Sequence, residues 1–463
     1  MNKKQLNVWV LTSLVVGNMV GSAIFMTPST LALEASPAGS LLAWILTGLG
    51  VLFIALVYGI LSIKRPEISG GPQIYAKSLF EEGTERSRLM GYFVTWGYYV
   101  ANFIGNVAVI TTFTGYLSTF FPVMNSTLLL YKYGDITVTL GYLLNFLVSS
   151  ALLWFVFAFI LKGIQGAGKL NLMATVAKVI GFLLFILVTL FVIQTQYFTP
   201  FTELQTAKGE SVGLFGQVNS AAVTTMWAFI GVESAVVFSA RAKSGRDIKR
   251  ATIMGLLIAL FIYIAITVLV MGTLPRHELV HSSKPLVDAL SQVTGHAGGY
   301  ILGLLALISL FGSSIGWILL SAEVPYQSAK QGFFLKSFAK ENKNGTPVVA
   351  LVVTCLIGQL FLLSIMSNSI SEVFTFMTTL ATLSYLIPYI FASLYLLKIV
   401  LSGKDYLHKQ KERFSDGIIA FIATLFSLWI IKAGSEDLRT FLYGLGMIIC
   451  GLVLYPFIKR SLK

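Results

Sequence analysis

The sequence predicts an all-α integral membrane protein with twelve transmembrane helices. They form a 5+5 inverted repeat with discontinuous helices 1 and 6, followed by two extra C-terminal helices. Three observations predict this. Only 11% of the 463 residues are charged and 56% are hydrophobic, against about 25% charged in an ordinary soluble domain. Apolar runs of about 20 residues recur along the chain, the length a helix needs to cross the hydrocarbon core. Two of these runs, five spans apart, are interrupted by glycine in corresponding positions, the pattern of paired repeats with a binding site at the midplane. A soluble fold is excluded, because so few charged residues cannot solvate so much apolar chain.

The spans read about 9–33, 39–63, 89–119, 137–161, 171–196, 219–240, 251–274, 297–328, 347–365, 373–397, 415–431 and 440–458. The first repeat covers about 9–196, the second about 219–397, and helices 11 and 12 about 415–458. No linker or low-complexity stretch divides them, so residues 1–463 read as one polytopic membrane domain. The net charge of +13 would suggest nucleic acid until the charges are placed. With the N-terminus inside, inner segments such as Lys3-Lys4, Lys64-Arg65, Lys162 to Lys169, Arg241 to Arg250 and Lys459 to Lys463 hold 26 of the 33 Lys and Arg. Outer segments hold Lys132, Lys208, Arg276, Lys284, Lys432 and Arg439. Cytoplasmic loops retain Lys and Arg, so both termini are expected in the cytoplasm and the protein in the cell membrane, with no nucleic-acid partner. The first apolar run is too long for a cleavable signal peptide. Cys355 and Cys450 lie in separate apolar runs, which suits small buried hydrophobes rather than a disulfide or metal site. No cofactor is expected.

Span 1 carries Gly17-Asn18-Met19-Val20-Gly21-Ser22 and span 6 carries Trp227-Ala228-Phe229-Ile230-Gly231-Val232-Glu233-Ser234. A mid-span glycine weakens a helix by roughly 1 kcal/mol relative to alanine, so both helices are expected to unwind there. An unwound half-helix presents amides and a favourable dipole to an anion. Gly21, Ser22, Ala23 and Ile24 are the candidate amides for a carboxylate. The Ile230 carbonyl, freed at the second break, is the candidate acceptor for an ammonium. Together they describe a site for a zwitterion. Close helix packing through small residues is the plainer reading of the same glycines, but it does not call for Glu233 beside the break.

In span 3, Tyr98, Asn102 and Asn106 recur every four residues and share one helix face. Trp227 stands one turn before the break in span 6, and Trp317 lies in the middle of span 8, each placed to stack on a cation. A mid-span carboxylate costs several kcal/mol, on the order of insertion scales, and marks function by default. Glu233 therefore reads as a proton site, a partner for Lys178, or a counter-charge for a cationic substrate. Lys178, the basic residue inside span 5, either snorkels to the inner surface or places its ammonium where a sodium ion would otherwise sit beside helix 1. Glu323, near the inner end of span 8, reads as a gate residue. The stretch from Ile68 to Gly91 contains Ser69-Gly70-Gly71-Pro72 followed by an amphipathic segment, expected to lie as a short helix on the membrane surface. His277-Glu278-Leu279-Val280-His281 matches the zinc-protease pattern HExxH, which keeps a membrane metalloprotease as a remote alternative. It falls in a loop, without a third ligand nearby. No enzyme activity is expected.

Gly17 to Ser22, Gly70-Gly71-Pro72 with Tyr75-Ala76, Ile104-Gly105-Asn106, Gly115-Tyr116-Leu117-Ser118 with Phe120-Phe121-Pro122, and Trp227 to Ser234 resemble the basic amino acid/polyamine antiporters of the amino acid-polyamine-organocation superfamily. The likeness extends to the bacterial arginine/agmatine and lysine/cadaverine antiporters and runs from about residue 8 to the end of span 10, thinning in the last two spans. The resemblance implies a twelve-helix inverted-repeat exchanger, commonly a homodimer, that trades a cationic amino acid for its decarboxylation product or a related metabolite. A proton-coupled amino-acid symporter of the same fold is the alternative. It also implies roles. Ser22 and its neighbours hold the carboxylate, Ile230 the amino group, Trp227 the distal cation and Asn106 the side chain. Trp317, Tyr98 and Tyr389 act as gates, and Glu233 as proton sensor. The arginine transporter has glycine where Ala23 stands, methionine at Val109 and serine at Ala381, so the side-chain contacts differ. Lys178 looks like the helix 5 lysine of sodium-independent relatives elsewhere in the superfamily.

Overall fold

The computed structural model describes residues 6–462 except 69–70, 135, 163, 206–208, 238 and 240–241, with side chains described for all of these but 136, 164–172, 458 and 460–462. Lys3, Lys4, Ser69, Gly70, Lys208, Arg241 and Lys463, and the side chains of Lys169 and Arg460, lie outside the described residues. The first span is α1 (Val8–Met19) and α2 (Ala23–Glu34), bent by 47° at the break. There follow α3 (Pro37–Lys64), the short α4 (Pro72–Lys77), α5 (Glu85–Leu117), α6 (Leu140–Leu161) and α7 (Ile164–Thr189). The sixth span is α8 (Leu214–Ala228) and α9 (Ser234–Val237). Next are α10 (Gly245–Thr273), α11 (Arg276–Leu279), α12 (Pro285–Lys330), α13 (Val348–Leu362), α14 (Ile370–Ser402), α15 (Gln410–Gly434) and α16 (Leu438–Leu462).

Local sequence sets the helix ends. Asn7, Ser36, Thr84, Thr139 and Ser244 each accept an amide hydrogen bond at the start of α1, α3, α5, α6 and α10. Ser369 and Glu372 form a reciprocal capping box on α14, and Gly403, at φ +67°, ends that helix in the left-handed conformation. Charge then sorts the ends. Lys64 meets Glu412 at 2.9 Å, Arg65 meets Asp405 at 2.7 Å, Lys330 meets Glu341 at 2.6 Å, and Lys459 pairs with Glu85. These pairs tie one end of the bundle together, hereafter the basic end.

Among the described residues nine helices are long and apolar enough to cross a membrane, or ten with α1–α2 counted as one bent span. That falls short of the expected twelve because the described apolar part of α7 is short, Met173–Thr189, and because α8 stops at its break after 15 residues. α5 lies at the centre, with 89% of its most apolar window buried, against 17% for α16 at the periphery.

Three features depart from the sequence reading. The eighth span begins twelve residues before its expected start, with an extra helical segment from Pro285 that turns at Gly295 (φ +69°). A two-stranded hairpin, β1 (Leu129–Tyr133) and β2 (Ile136–Thr139), precedes α6. The segment expected on the membrane surface instead folds inward. Tyr75 of α4 is buried, stacked on Tyr395 at 6.1 Å and tilted against Tyr58 at 6.3 Å. The reason is that α4 docks between α5 and α14, so its apolar face meets protein rather than lipid.

Candidate functional site

The two helix breaks touch. Gly231 sits at φ +106°, which an L side chain rarely adopts. A Cβ there would lie 3.2 Å from the backbone carbon of Asn18 and from the Met19 nitrogen. Across the same contact the Asn18 side-chain amide donates to Ser234 Oγ at 2.7 Å. At the start of α2 no side chain caps the helix, so the amides of Ser22, Ala23 and Ile24 are left for another partner, whereas the Gly21 amide, expected with them, donates to the Met19 carbonyl at 2.7 Å. On the span 6 side, the Ala228 carbonyl accepts from the Tyr263 hydroxyl at 2.6 Å, whereas no hydrogen bond reaches the Ile230 carbonyl among the described residues. The break thus offers an anion-seeking pole and a cation-seeking carbonyl side by side.

Lys178 reaches this junction. Its ammonium is buried and donates to the Gly17 carbonyl at 3.2 Å, just before the span 1 break. It does not snorkel, and among the described residues no ion pair joins it to Glu233. Glu233 is met by three donors. The Tyr98 hydroxyl reaches Oε1 at 3.2 Å, the Tyr389 hydroxyl reaches Oε2 at 2.7 Å, and the Gly231 N–H reaches Oε2 at 3.1 Å. This carboxylate therefore joins the span 6 break to α5 and α14. Tyr389 in turn packs edge-on against Tyr58 at 6.0 Å, and Tyr98 against Tyr385 at 5.4 Å. With Tyr75 and Tyr395 these rings fill the space between the breaks and the basic end.

On the other side of the breaks stand the tryptophans. Trp227 and Trp317 lie 5.6 Å apart with a 34° tilt, and both press on Gly105 of α5, where a Cβ would come within 2.9 Å of either indole. Gly105 is thus the residue that lets the two rings share one wall. Trp227 is buried with its Nε1–H unpartnered, and Oδ1 of the adjacent Asn106 is buried and unpartnered too. Each is a buried polar atom that a ligand or water would satisfy.

One expected site residue is turned away from the pocket, and Glu323 stands at the inner end of its helix as expected. Asn102 does not open to the pocket: its amide donates to the Tyr98 carbonyl at 2.6 Å and its Oδ1 accepts from the Tyr385 hydroxyl at 2.9 Å. Both ends are used inside the wall, so it orients the tyrosines. Glu323 is bonded to Gln327 on its own helix, half-buried, at the basic end. The HExxH stretch is broken as well, since α11 ends at Leu279, Glu278 accepts from Gln292 at 3.0 Å, and the His277 side chain is 81% exposed. Sequence reasoning missed Tyr385, Tyr58 and Ser234. Tyr385 stands four residues before Tyr389 on the same helix face, which is the signal that would have found it.

A cavity of about 1210 Å³ opens at the end opposite the basic one, lined among others by Ser29, Leu33, Asp288, Glu372, Arg439 and Tyr443. It stops short of the tryptophans. The broken first and sixth spans, meeting over a buried lysine and a buried glutamate, are matched by a family model described as amino acid permease over residues 6–451. The chain belongs to the amino acid permease family. This permease is 50% identical over 461 residues to a protein of Bacillus subtilis (strain 168) provisionally named an arginine/ornithine antiporter, covering 99% of this chain and 98% of the relative. It is 33% identical to the arginine/ornithine antiporter of Pseudomonas aeruginosa (97% and 90% covered). It is 31% identical to the arginine/agmatine antiporter of Chlamydia abortus (98% and 89% covered).

Proposed function

We propose that this permease is a sodium-independent antiporter that exchanges a cationic amino acid for a second cationic amino acid or amine, arginine and ornithine being the pair to try first. The observation that carries the reading is the junction of the two breaks, with open amides on one side, a free carbonyl on the other and a tryptophan pair beyond them. The amides of α2 take the carboxylate, the Ile230 carbonyl the α-ammonium, and the face of Trp227 the distal cation, with the Asn106 amide group beside it. Trp317 closes over the side chain. The names of relatives along nearly the whole chain agree with a substrate of this class.

Glu233 gives the reading its moving part. Its two oxygens hold Tyr98 of α5 and Tyr389 of α14 against the span 6 break. A proton on either oxygen makes that oxygen a donor, so the tyrosine facing it must turn its hydroxyl to accept, and the charge-assisted contacts that hold the wall weaken. Lys178 supplies a positive charge at the Gly17 carbonyl, where its ammonium donates as a bound sodium would coordinate. Both termini at the cytoplasmic face, two five-helix repeats and a homodimer complete the proposal. The charge distribution supports the orientation, and the paired breaks support the repeat.

Proteoliposomes test it. Labelled arginine should accumulate only when ornithine, arginine or agmatine is loaded inside, at the same rate in sodium and choline buffers. Uptake into empty vesicles driven by a proton gradient would replace exchange by symport. A strict sodium requirement would remove the role given to Lys178.

A further inference from the structure

We propose that Glu34 is a second cation-binding carboxylate, an outer station that holds the side-chain cation of the substrate at the cavity end before it reaches Trp227. This rests on the exchanger reading above and extends it to a site one step further out. Glu34 is the last residue of α2, the helix whose first turn frames the break. Its Oε1 accepts from the Thr224 hydroxyl at 2.9 Å. Its Oε2 is buried and has no partner among the described residues.

Nothing in the fold asks for a charge here. A carboxylate at a helix C-terminus faces the negative end of the dipole, and a buried oxygen without a donor is costly. A glutamine would satisfy Thr224 equally well. Arg276, whose Nε donates to the Ala32 carbonyl at 2.9 Å, forms no ion pair with Glu34 among the described residues. A mobile cation would supply that missing partner.

Position says which cation. Thr224 lies three residues before Trp227 on α8, one turn toward the cavity end on the same face. Leu33, beside Glu34, lines the cavity. Eleven residues separate Ala23 from Glu34, about 16 Å along a helix, more than one amino-acid side chain spans. A substrate whose carboxylate rests on the α2 amides does not touch Glu34. The carboxylate meets the guanidinium or ammonium of a substrate arriving from the cavity and hands it toward the indole one turn further in. A neutral amino acid brings no such group.

The test is sided kinetics of Glu34→Gln in oriented membrane vesicles, with arginine and ornithine as probes and agmatine as the amine. From the cavity face, KM should rise about fivefold, the upper end for a partly exposed ion pair, with kcat unchanged. From the basic face KM should stay as in the wild type. Glu34→Asp, which keeps the charge, should restore most of the affinity and serves as the readout if the glutamine variant does not fold. An unchanged KM at the cavity face, or an equal rise at both faces, would overturn the station. Absence of cation exchange by the wild type would instead overturn the exchanger reading, and is measured in the same vesicles.

Discussion

The two helix breaks were drawn from similar sequence and do different things. Span 1 unwinds over Val20 to Ser22 and leaves the α2 amides without a cap, with Lys178 the charged group bonded beside it. Span 6 unwinds over Phe229 to Glu233 and closes on itself, because Glu233 folds back to the Gly231 N–H and recruits two tyrosines. The first break is a pole of uncapped amides. The second is a joint whose strength depends on one carboxylate. A pair of glycine-interrupted spans thus need not be a pair of equivalent binding surfaces: the residue beside the glycine decides.

The largest effect expected from disturbing this contrast is at the contact itself. Gly231→Val puts a β-branched residue at φ +106°, at about 1–2 kcal/mol for the left-handed backbone, and drives its Cβ onto Asn18 at 3.2 Å, about 1–3 kcal/mol more. Detergent-solubilised protein should lose several degrees in melting temperature together with all exchange. A variant as stable and active as the wild type would mean that the breaks do not need to touch.

Removing the charge at the first break comes next. Lys178→Ala leaves the Gly17 carbonyl unpaired in the interior, a loss of about 1–3 kcal/mol, and exchange should fall at least tenfold while size-exclusion behaviour is unchanged. A transport rate close to the wild type would reduce Lys178 to packing.

Trp227→Leu sharpens the comparison from the ligand side. Loss of the cation–π face should weaken arginine and ornithine by roughly two- to thirty-fold, while a neutral competitor loses less, as read by competition binding. Equal losses for both would assign the indole to shape rather than charge.

The smallest change at a single pH is expected at the second break. Glu233→Gln keeps the shape of the side chain and an acceptor for one tyrosine, so exchange near neutrality should change modestly, but its dependence on pH should flatten. Tyr389→Phe should do the same more weakly. A pH profile unaltered in Glu233→Gln would sink the sensor and leave the binding pole untouched.

Much of this was legible in the chain. The membrane class follows from composition, and the positions of both breaks were suggested by glycines among small polar residues in corresponding spans, with Glu233 beside one of them. A carboxylate and an ammonium in mid-span were visible as too costly to be idle. What could not be read was their partnership. Glu233 and Lys178 are opposite charges, and sequence offered them as a pair, yet they bond to Tyr98, Tyr389 and the Gly17 carbonyl instead.

The sequence by itself determined which segments enter the membrane, where two of them fail as helices and which side chains are too polar for lipid, because these depend on local propensity and transfer energy. The tertiary structure decided who meets whom. Asn102 turned into the wall, α4 folded in under Tyr395, and Glu34 was left with one oxygen on Thr224 and the other without a partner among the described residues. Those outcomes depend on contacts between residues far apart in the chain, Asn18 with Ser234 and Glu34 with Thr224. Helical periodicity fixes the face a side chain occupies but not the helix that packs against it.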